Sequence, residues 1–321
     1  MDYSICIRTL GTAGEKFERL INSIKKLNIK PKEVIIVIPK GYKIPSISIE
    51  NKRIIYSEKG MLLQRIVGYE EATTEFVLLL DDDVEFKSNL IEELIEPIKN
   101  KKCKLTFPIY KDLLLQGGIR SLISSLTLSS MPNKKNKDTF VKIIDSGGFI
   151  YNNNLNESNK YLYSESAPGM CVFALRKSLI DINLREELWI DNTEYPLRED
   201  AVLIYKSHLK GNKIIGVQNI EITHLDGGSN ESGRNLKAAY SNGYNQILFW
   251  KRFIYCNKEG KVSKLKSIIS IRYWALSTVM YIAIRFLINR DIELLKQSFK
   301  GIRNGFKFIN NKEIGDRLWQ V

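Results

Sequence analysis

The stretch from Phe76 to Asp83 is the clearest indication of the fold of this 321-residue chain. It consists of a run of apolar residues, Phe-Val-Leu-Leu-Leu, followed at once by Asp81, Asp82 and Asp83. A strand that is apolar at every position is buried on both faces, as in a parallel sheet covered by helices. Ligands of such sheets bind beyond the carboxyl ends of the strands. The sequence therefore predicts a buried strand that ends at a binding site rich in carboxylates.

The segments around this strand alternate between strand and helix patterns. Apolar runs predict strands at residues 4–7, 34–38, 53–56, 170–175, 213–217 and 220–225. Helical spacing of apolar side chains predicts helices at residues 17–27, 62–72 and 201–209, and a further helix with Ser88 as its N-cap. Strands that alternate with helices predict an α/β fold in which the strands are neighbours in one sheet.

Asp81, Asp82 and Asp83 bring several carboxylates together where water is limited. Without partners these carboxylates would repel one another. Mg²⁺ and Mn²⁺ favour oxygen ligands and bridge carboxylates to phosphates, so a divalent cation would resolve the repulsion. The alternative is an exposed acidic turn that caps the next helix, and both interpretations stay open at this point.

Glu199 and Asp200 directly precede the helix predicted at residues 201–209. Acidic residues in a first turn complement the helix dipole, which is a common structural role. The functional alternative is a general base held in a cleft. The pair alone does not decide between these two roles.

His224 and Arg65 are further candidates. His224 is one of two histidines and ends a predicted strand, where it is either structural or a ligand for Mn²⁺. Arg65 lies on the helix before the acidic strand, where it is either solvated or in contact with a phosphate. The other histidine, His208, lies inside a helix and has no predicted role.

Taken in order, these segments resemble the family 2 inverting glycosyltransferases, which have the GT-A fold. Residues 4–9 (SICIRT) look like the opening strand of the family, and residues 75–84 (EFVLLLDDDV) are similar to its D-x-D strand. Residues 60–72 resemble its helix with Arg, Gly and Ala at these spacings, and residues 168–176 (PGMCVFALR) its acceptor-side strand. Glu199-Asp200 matches its E-D helix. The resemblance covers residues 1–228.

The resemblance implies a metal-dependent, inverting transfer of a sugar from a nucleotide-diphosphate sugar to a hydroxyl of a glycan or lipid-linked acceptor. The implied donor-nucleotide contacts are Thr9, Arg65, Asp81 and Asp82. The implied ligands of Mn²⁺ or Mg²⁺ are Asp81, Asp83 and His224. The implied catalytic base is Asp200, and the implied residues on the acceptor side are Gly169, Met170 and Glu199. The implied setting is the assembly of microbial surface glycans.

The implied architecture is α/β: a Rossmann-like mixed GT-A sheet flanked by helices, in a catalytic domain over residues 1–249. A basic, amphipathic, helical C-terminal segment is expected over residues 250–321. This segment holds 15 Lys and Arg against 5 Asp and Glu, so it carries most of the net charge of +13. The catalytic domain is expected to be nearly neutral.

One segment departs from the family pattern. The second strand of many members ends in acidic residues that help to hold the nucleotide base. Here the corresponding residues are Ile38, Pro39, Lys40 and Gly41, which offer no carboxylate. The identity of the nucleotide therefore stays open.

The most apolar part of the C-terminal segment is Ser270 to Asn289, which Arg272 and Arg285 interrupt. Its uninterrupted apolar core is expected to be too short for a transmembrane helix, which needs about 20 residues. Two alternatives are open: a helix that lies in the interface of an anionic bilayer, and a helix that packs on the catalytic domain with its basic face solvated.

The cysteines and the N-terminus indicate the compartment. Cys6, Cys103, Cys171 and Cys256 are far apart and form no C-x-x-C pair, which predicts reduced thiols rather than disulfides or a zinc site. Met1 leads directly into a predicted strand, so no signal peptide is expected. The expected localisation is cytoplasmic, or peripheral on the inner face of the cell membrane.

Other functions fit parts of these observations. A nucleic-acid-binding protein fits the net charge, but the first 249 residues are nearly neutral and contain no RNP motif or zinc finger, so nucleic acid is not expected as a partner. A GT-A domain without activity could serve as an interaction module, because a fold does not guarantee a function. A nucleotidyltransferase uses similar groups but leaves a nucleotide on its product.

Overall fold

The structure is a computed structural model of the chain. It describes residues 1–43, 45–110, 118–133, 138–153, 155–156, 158–225 and 233–311. Residues 226–228, where the resemblance ends, and residues 312–321 of the basic segment lie outside the described residues.

Helices and short strands alternate along the chain. The strands are β1 (Tyr3–Arg8), β2 (Glu33–Pro39), β3 (Lys52–Ser57), β4 (Phe76–Leu80), β5 (Val84–Phe86), β6 (Leu105–Pro108), β7 (Ser130–Asn133), β8 (Val141–Ile143), β9 (Phe149–Asn152), β10 (Tyr161–Tyr163), β11 (Cys171–Leu175), β12 (Ile214–Val217) and β13 (Ile222–His224). The α-helices are α1 (Glu15–Lys26), α2 (Met61–Glu71), α3 (Leu90–Lys99), α4 (Ile119–Leu126), α5 (Arg176–Asp181), α6 (Glu199–Leu209), α7 (Arg234–Phe249), α8 (Lys261–Asn289) and α9 (Ile292–Ile309). A 3₁₀ helix spans Leu184–Asn192, and a π-helical turn spans Trp250–Tyr255.

The chain forms two compact units. Unit 1 comprises Met1–Asp112, Asn156–Asp191 and Glu199–Asn230. Unit 2 comprises Leu113–Leu155, Asn192–Arg198 and Glu231–Val321. These units do not follow the division at residue 249 that the sequence suggested, and the extent of the catalytic domain stays a prediction.

Unit 1 contains an 8-stranded mixed sheet in the order β10-β12-β6-β11-β4-β1-β2-β3. Strands β4, β1, β2 and β3 are parallel to one another, whereas β11 is antiparallel to both of its neighbours, β4 and β6. All seven residues of β2 are buried, as expected for a strand covered on both faces. The prediction of an α/β fold with a mixed sheet flanked by helices is confirmed.

The register of the central strands positions the site. Ile7 of β1 pairs with Leu80 of β4, so the next residues, Arg8 and Asp81, lie side by side at the edge of the sheet. Because β11 runs antiparallel, its first residue, Cys171, pairs with Leu80. Gly169 and Met170, which precede Cys171, therefore lie at the same edge of the sheet as Asp81.

Helix α2 lies close against β1. A Cβ atom on Gly68 would lie 3.0 Å from the Cβ of Cys6, so the missing side chain permits this approach. The N-terminus of α2 is held by Asp191, whose two carboxylate oxygens accept hydrogen bonds from the Leu62 and Leu63 amides at 3.1 and 2.9 Å. Carboxylates at this position satisfy free N–H groups and complement the helix dipole. Both contacts fix the position of Arg65.

The prediction that Ser88 caps the next helix is wrong. Helix α3 begins at Leu90, and Asn89 occupies the N-cap position without a side-chain hydrogen bond to the helix. The carbonyl of Ser88 instead accepts a hydrogen bond of 2.9 Å from the Asn28 amide, after α1. This backbone contact joins the segment before α3 to the segment after α1.

Unit 2 contains a 3-stranded sheet in the order β7-β9-β8, together with helices α4, α7, α8 and α9. Helices α7 and α9 pack closely: a Cβ atom on Gly301 would lie 2.1 Å from the Tyr240 carbonyl oxygen. By length and composition, α8 could cross a membrane over the 27 residues Lys261–Leu287. Arg272 and Arg285 still interrupt its apolar core, so the expectation that this stretch does not span a bilayer stays a prediction.

Candidate active site

Asp81 lies between two arginines. Its carboxylate accepts hydrogen bonds from Arg8 Nε at 2.7 Å and Arg8 Nη2 at 3.1 Å. Arg65 Nη2 donates a further bond of 2.8 Å to Asp81 Oδ1. Burial alone would raise the pKa of Asp81, but the charges of Arg65 and Arg8 outweigh it and hold this pKa well below its usual range. Asp81 is therefore an anion over the whole working pH range.

Glu199 contacts the same two arginines. Arg65 Nε donates to Glu199 Oε2, and Arg65 Nη2 donates to Glu199 Oε1, both at 3.1 Å. Arg8 Nη2 lies 3.0 Å from Glu199 Oε1. Arg65 is only 3% exposed and Glu199 only 4% exposed. Two cations and two anions thus form a compact charge cluster, which ties the starts of α2 and α6 to the ends of β1 and β4.

Asp82 lies beside Thr9, whose hydroxyl donates to the Asp82 carboxylate. The same hydroxyl accepts a bond of 2.8 Å from the Gly11 amide. Burial raises the pKa of Asp82 to about 6, and the neighbouring Asp83 and Asp81 charges add to this increase. The Gln64 side chain donates to the carbonyls of Thr9 and Val37 at 3.0 and 2.9 Å, which fixes the backbone beside Asp82.

His224 reaches the acidic triplet through strand pairing. Strands β5 and β13 are antiparallel, with His224 opposite Val84, the residue that follows Asp83. The Leu225 amide also donates to the Asp83 carbonyl at 2.7 Å. His224 Nε2 consequently lies 3.1 Å from Asp83 Oδ1. The short β5–β13 ribbon is the element that brings these distant segments together.

Asp81, Asp83 and His224 form a group suited to a divalent cation. One ligand atom from each lies within 4.8 Å of the other two. Ligand atoms that share Mg²⁺ lie at most about 4.2 Å apart, because each is about 2.1 Å from the metal, so a small side-chain adjustment would bring the three onto one ion. Carboxylate oxygens with an imidazole nitrogen suit Mn²⁺ in particular. The donor set and its spacing therefore fit the metal.

Asp200 lies in the first turn of α6 beside Gly169. Its carboxylate accepts hydrogen bonds from the Ala201 amide at 2.7 Å and from the Gly169 amide. Burial raises the pKa of Asp200 to about 6, and the neighbouring Glu199 charge adds to this increase. A carboxylate with a pKa in this range is suited to accept a proton near neutral pH.

Gly169 permits the close approach of two site residues. A Cβ atom on Gly169 would lie 2.8 Å from Arg65 Nη2 and 2.8 Å from the Cβ of Asp200. Real Cβ atoms do not make contacts this short, so any side chain at this position would displace one of the two groups. Gly169 thus controls the distance between the charge cluster and the candidate base.

The structure brings the predicted site residues of unit 1 to one edge of the sheet. Asp81, Asp83 and His224 converge, Thr9 contacts Asp82, and Asp200 contacts Gly169. Glu199 lies in the charge cluster, so its role on the acceptor side, like that of Met170, stays a prediction.

Sequence reasoning gave no role to three residues of this edge: Arg8, Gln64 and Asp191. Arg8 is the last residue of a strand that is apolar at most positions, and this signal could have indicated a site residue. No sequence signal indicates Asp191, which is separated by more than a hundred residues from the helix that it caps.

Comparisons with known proteins identify the fold. No protein-family model matches the chain, and no curated protein matches its sequence. The structure is similar to a crystal structure of GalNAc-T7 with UDP, GalNAc and Mn²⁺, at a TM-score of 0.50 and 14% identity, over 86% of this chain and 55% of the GalNAc-T7 chain. It is also similar to a crystal structure of S. aureus TarS residues 1–349 in complex with UDP-GlcNAc, at a TM-score of 0.50 and 13% identity, over 99% of this chain and 83% of that chain.

These similarities confirm the GT-A fold. The chain spans about half of the length of the GalNAc-T7 chain that it matches.

Proposed function

We propose that this protein is a metal-dependent, inverting glycosyltransferase that moves a sugar from a nucleotide-sugar donor to an acceptor hydroxyl. The observation that carries the proposal is the convergence of Asp81, Asp83 and His224 at the carboxyl edge of the sheet. Asp200 lies at the same edge, beside Gly169. The similarity to GT-A structures that hold UDP or UDP-GlcNAc, one of them with Mn²⁺, supports a nucleotide-sugar site here.

The donor side of the site contains carboxylates that would surround a divalent cation. Asp81, Asp83 and His224 would hold Mn²⁺ or Mg²⁺, which supplies positive charge against the negative charge that develops on a departing diphosphate. Arg8 and Arg65 hold the Asp81 carboxylate in a fixed orientation through three hydrogen bonds. Because the Asp81 carboxylate is already held in place, it would lose little conformational entropy when it binds the metal. Thr9 and Asp82 are the proposed contacts to the nucleoside.

Asp200 is the proposed base. It takes the proton from the acceptor hydroxyl as that oxygen attacks the anomeric carbon, and the bond to the diphosphate breaks on the opposite face. The configuration at the anomeric carbon is thereby inverted, and no covalent enzyme intermediate forms. The backbone amides of Ala201 and Gly169 orient the Asp200 carboxylate. Gly169, which contacts Asp200, and Met170, which follows it in the sequence, are the proposed residues on the acceptor side.

The proposed setting is the cytoplasmic face of a membrane, where the acceptor is a glycan or a lipid-linked glycan in surface polysaccharide assembly. The basic C-terminal segment supports this setting, because positive charge favours binding to anionic lipid.

Nucleotide-dependent thermal stabilisation tests the donor site. A ligand of the native state raises the melting temperature by mass action. Purified protein is heated with UDP, GDP, dTDP or CMP, each with and without Mn²⁺. We expect a metal-dependent increase with one nucleotide, lost in Asp83→Ala and kept in Asp181→Ala, which removes an exposed carboxylate of α5. The absence of a metal-dependent shift with any nucleotide would contradict the proposal.

Product analysis separates the proposed reaction from nucleotidyl transfer. With the matching nucleotide sugar and an acceptor, a glycosyltransferase releases free nucleoside diphosphate and adds only the sugar. A product that carries the nucleotide would instead identify a nucleotidyltransferase.

A further inference from the structure

Helix α8 presents an apolar face that the described residues leave uncovered. Its members are Val262, Leu265, Ile269, Tyr273, Leu276, Met280, Ile284 and Leu287, all between 47% and 76% exposed. Successive members are three or four residues apart, so they lie along one side of the helix. We call this side the α8 stripe. An exposed apolar surface that runs the length of a helix marks an interaction surface.

The opposite side of α8 is fixed within unit 2. Ser267, Ile271 and Trp274 are buried there. Trp250 Nε1 donates to Ser267 Oγ at 2.7 Å, and Trp274 Nε1 donates to Ser129 Oγ at 3.2 Å. These contacts hold the helix in one rotational position. The α8 stripe therefore faces away from the described part of unit 2.

The charges on the helix decide between possible partners. Helix α8 carries Lys and Arg but neither Asp nor Glu. Of its basic residues, Lys261, Lys266, Arg272 and Arg285 are exposed. A second copy of the chain, paired through the stripe, would bring these positive charges together without compensating carboxylates on the helix. An anionic lipid surface supplies phosphates for them and acyl chains for the stripe.

We propose that α8 lies in the headgroup region of an anionic bilayer, with the α8 stripe toward the acyl chains and its basic side chains at the lipid phosphates. The length of α8 also suits a membrane-spanning helix. However, Ser267, Ile271 and Trp274 pack against protein, so lipid cannot surround α8 on the side that carries these residues. One apolar face and one packed face are the arrangement of a helix that lies along a surface.

This binding does not depend on the donor chemistry of unit 1, so the two proposals can fail separately. The test uses the full-length protein and flotation with two kinds of vesicle. One is pure phosphatidylcholine, and the other is two parts phosphatidylcholine to one part phosphatidylglycerol. We expect at least about tenfold tighter binding to the anionic vesicles, with weaker binding as salt is added.

A double variant tests the stripe itself. Leu276→Glu with Ile284→Glu places two charges in the proposed acyl-facing side, and we expect vesicle binding to fall by about tenfold or more. The matched control is Ile180→Glu with Leu209→Glu, which changes two exposed apolar residues of unit 1 and is expected to leave binding unchanged. Circular dichroism and thermal melting confirm that both double variants are folded. Nucleotide-dependent stabilisation is expected to be the same in both.

Four outcomes would contradict the proposal. The first is an absence of flotation with the anionic vesicles, and the second is full binding by the stripe variant. The third is a wild-type protein that does not bind vesicles and forms a soluble dimer, detected by light scattering. This dimer would dissociate in the stripe variant. That last result would assign the stripe to a second copy of the chain. Equal binding to neutral and anionic vesicles would contradict the role given to the basic side chains.

Discussion

Arg65 and Glu199, 134 residues apart in the sequence, are joined by two hydrogen bonds of 3.1 Å. Both side chains are almost fully buried, and each has a second partner of opposite charge: Asp81 for Arg65, and Arg8 for Glu199. Buried charges require such partners, because an unpaired charge in the interior is costly. The pair therefore connects helix α2 to helix α6 and places the candidate base, Asp200, relative to the candidate metal ligands.

Removal of one partner of this pair should destabilise the protein strongly. In Glu199→Gln, Arg65 and Arg8 lose a buried negative charge, and we expect a loss of about 3 kcal/mol in the free energy of unfolding. Urea denaturation measures this loss. The control is Lys177→Ala, which breaks an exposed pair with Asp181, where a change of at most about 0.5 kcal/mol is expected. Equal losses in the free energy of unfolding of the two variants would show that the buried cluster contributes no more stability than an exposed ion pair.

The activity should depend on a group that titrates near pH 6. Asp200 has a pKa raised to about 6 and must be deprotonated to accept a proton. We expect kcat/KM to rise about tenfold per pH unit below this value and to level off above it. Rates are measured with saturating metal at each pH. A profile without an inflection between pH 5 and pH 7 would contradict the assignment of Asp200 as the base.

The same carboxyl should make the folded state less stable at neutral pH. Its pKa in the folded protein, about 6, is higher than the ordinary value of about 3.9 for an unfolded chain. Folding therefore favours the protonated form, and this contribution to stability declines as the pH rises from about 4 to about 6. At pH 7.5 we expect Asp200→Asn to be inactive but to melt no lower than the wild type. A clear decrease in its melting temperature would indicate a structural role for Asp200.

His224 should contribute to metal binding, whereas His208 should not. His224 lies 3.1 Å from Asp83, but His208 stacks on the Tyr205 ring in the second half of α6. We expect His224→Ala to weaken Mn²⁺ binding at least about tenfold, as loss of a ligand or its support typically does. Isothermal titration calorimetry with Mn²⁺ measures the affinity. His208→Ala, the matched control, should bind Mn²⁺ as the wild type does, and equal affinities in the two variants would remove His224 from the site.

A methyl group at Gly169 should impair turnover more than binding. It would lie 2.8 Å from both Arg65 Nη2 and the Cβ of Asp200, so it would change the distance between the base and the charge cluster. Misplacement of a reacting group by about 1 Å can cost about a hundredfold in rate, so we expect a loss of this order in kcat for Gly169→Ala. The nucleotide-dependent shift in melting temperature should persist. Unchanged kcat would show that the site tolerates a side chain here.

Local sequence patterns predicted several of the elements around the site and the basic character of the C-terminal segment. The apolar run of β4 and the aspartates after it are adjacent in the chain, so their pattern predicts both a buried strand and a site at its end. The same holds for α8, whose apolar spacing and lack of acidic residues are local properties. Motif order predicted the GT-A fold because it follows the order of the strands and helices.

The contacts between these residues depend on how the elements pack together. Register places Arg8 beside Asp81, and the β5–β13 ribbon brings His224 to Asp83. The pairing of Arg65 with Glu199 and the capping of α2 by Asp191 join segments more than a hundred residues apart. Sequence patterns report periodicity within an element, whereas these contacts depend on strand pairing and on the need of buried charges for partners. That physical difference explains why elements such as β4 and α2 were predictable from the sequence and the charge cluster was not.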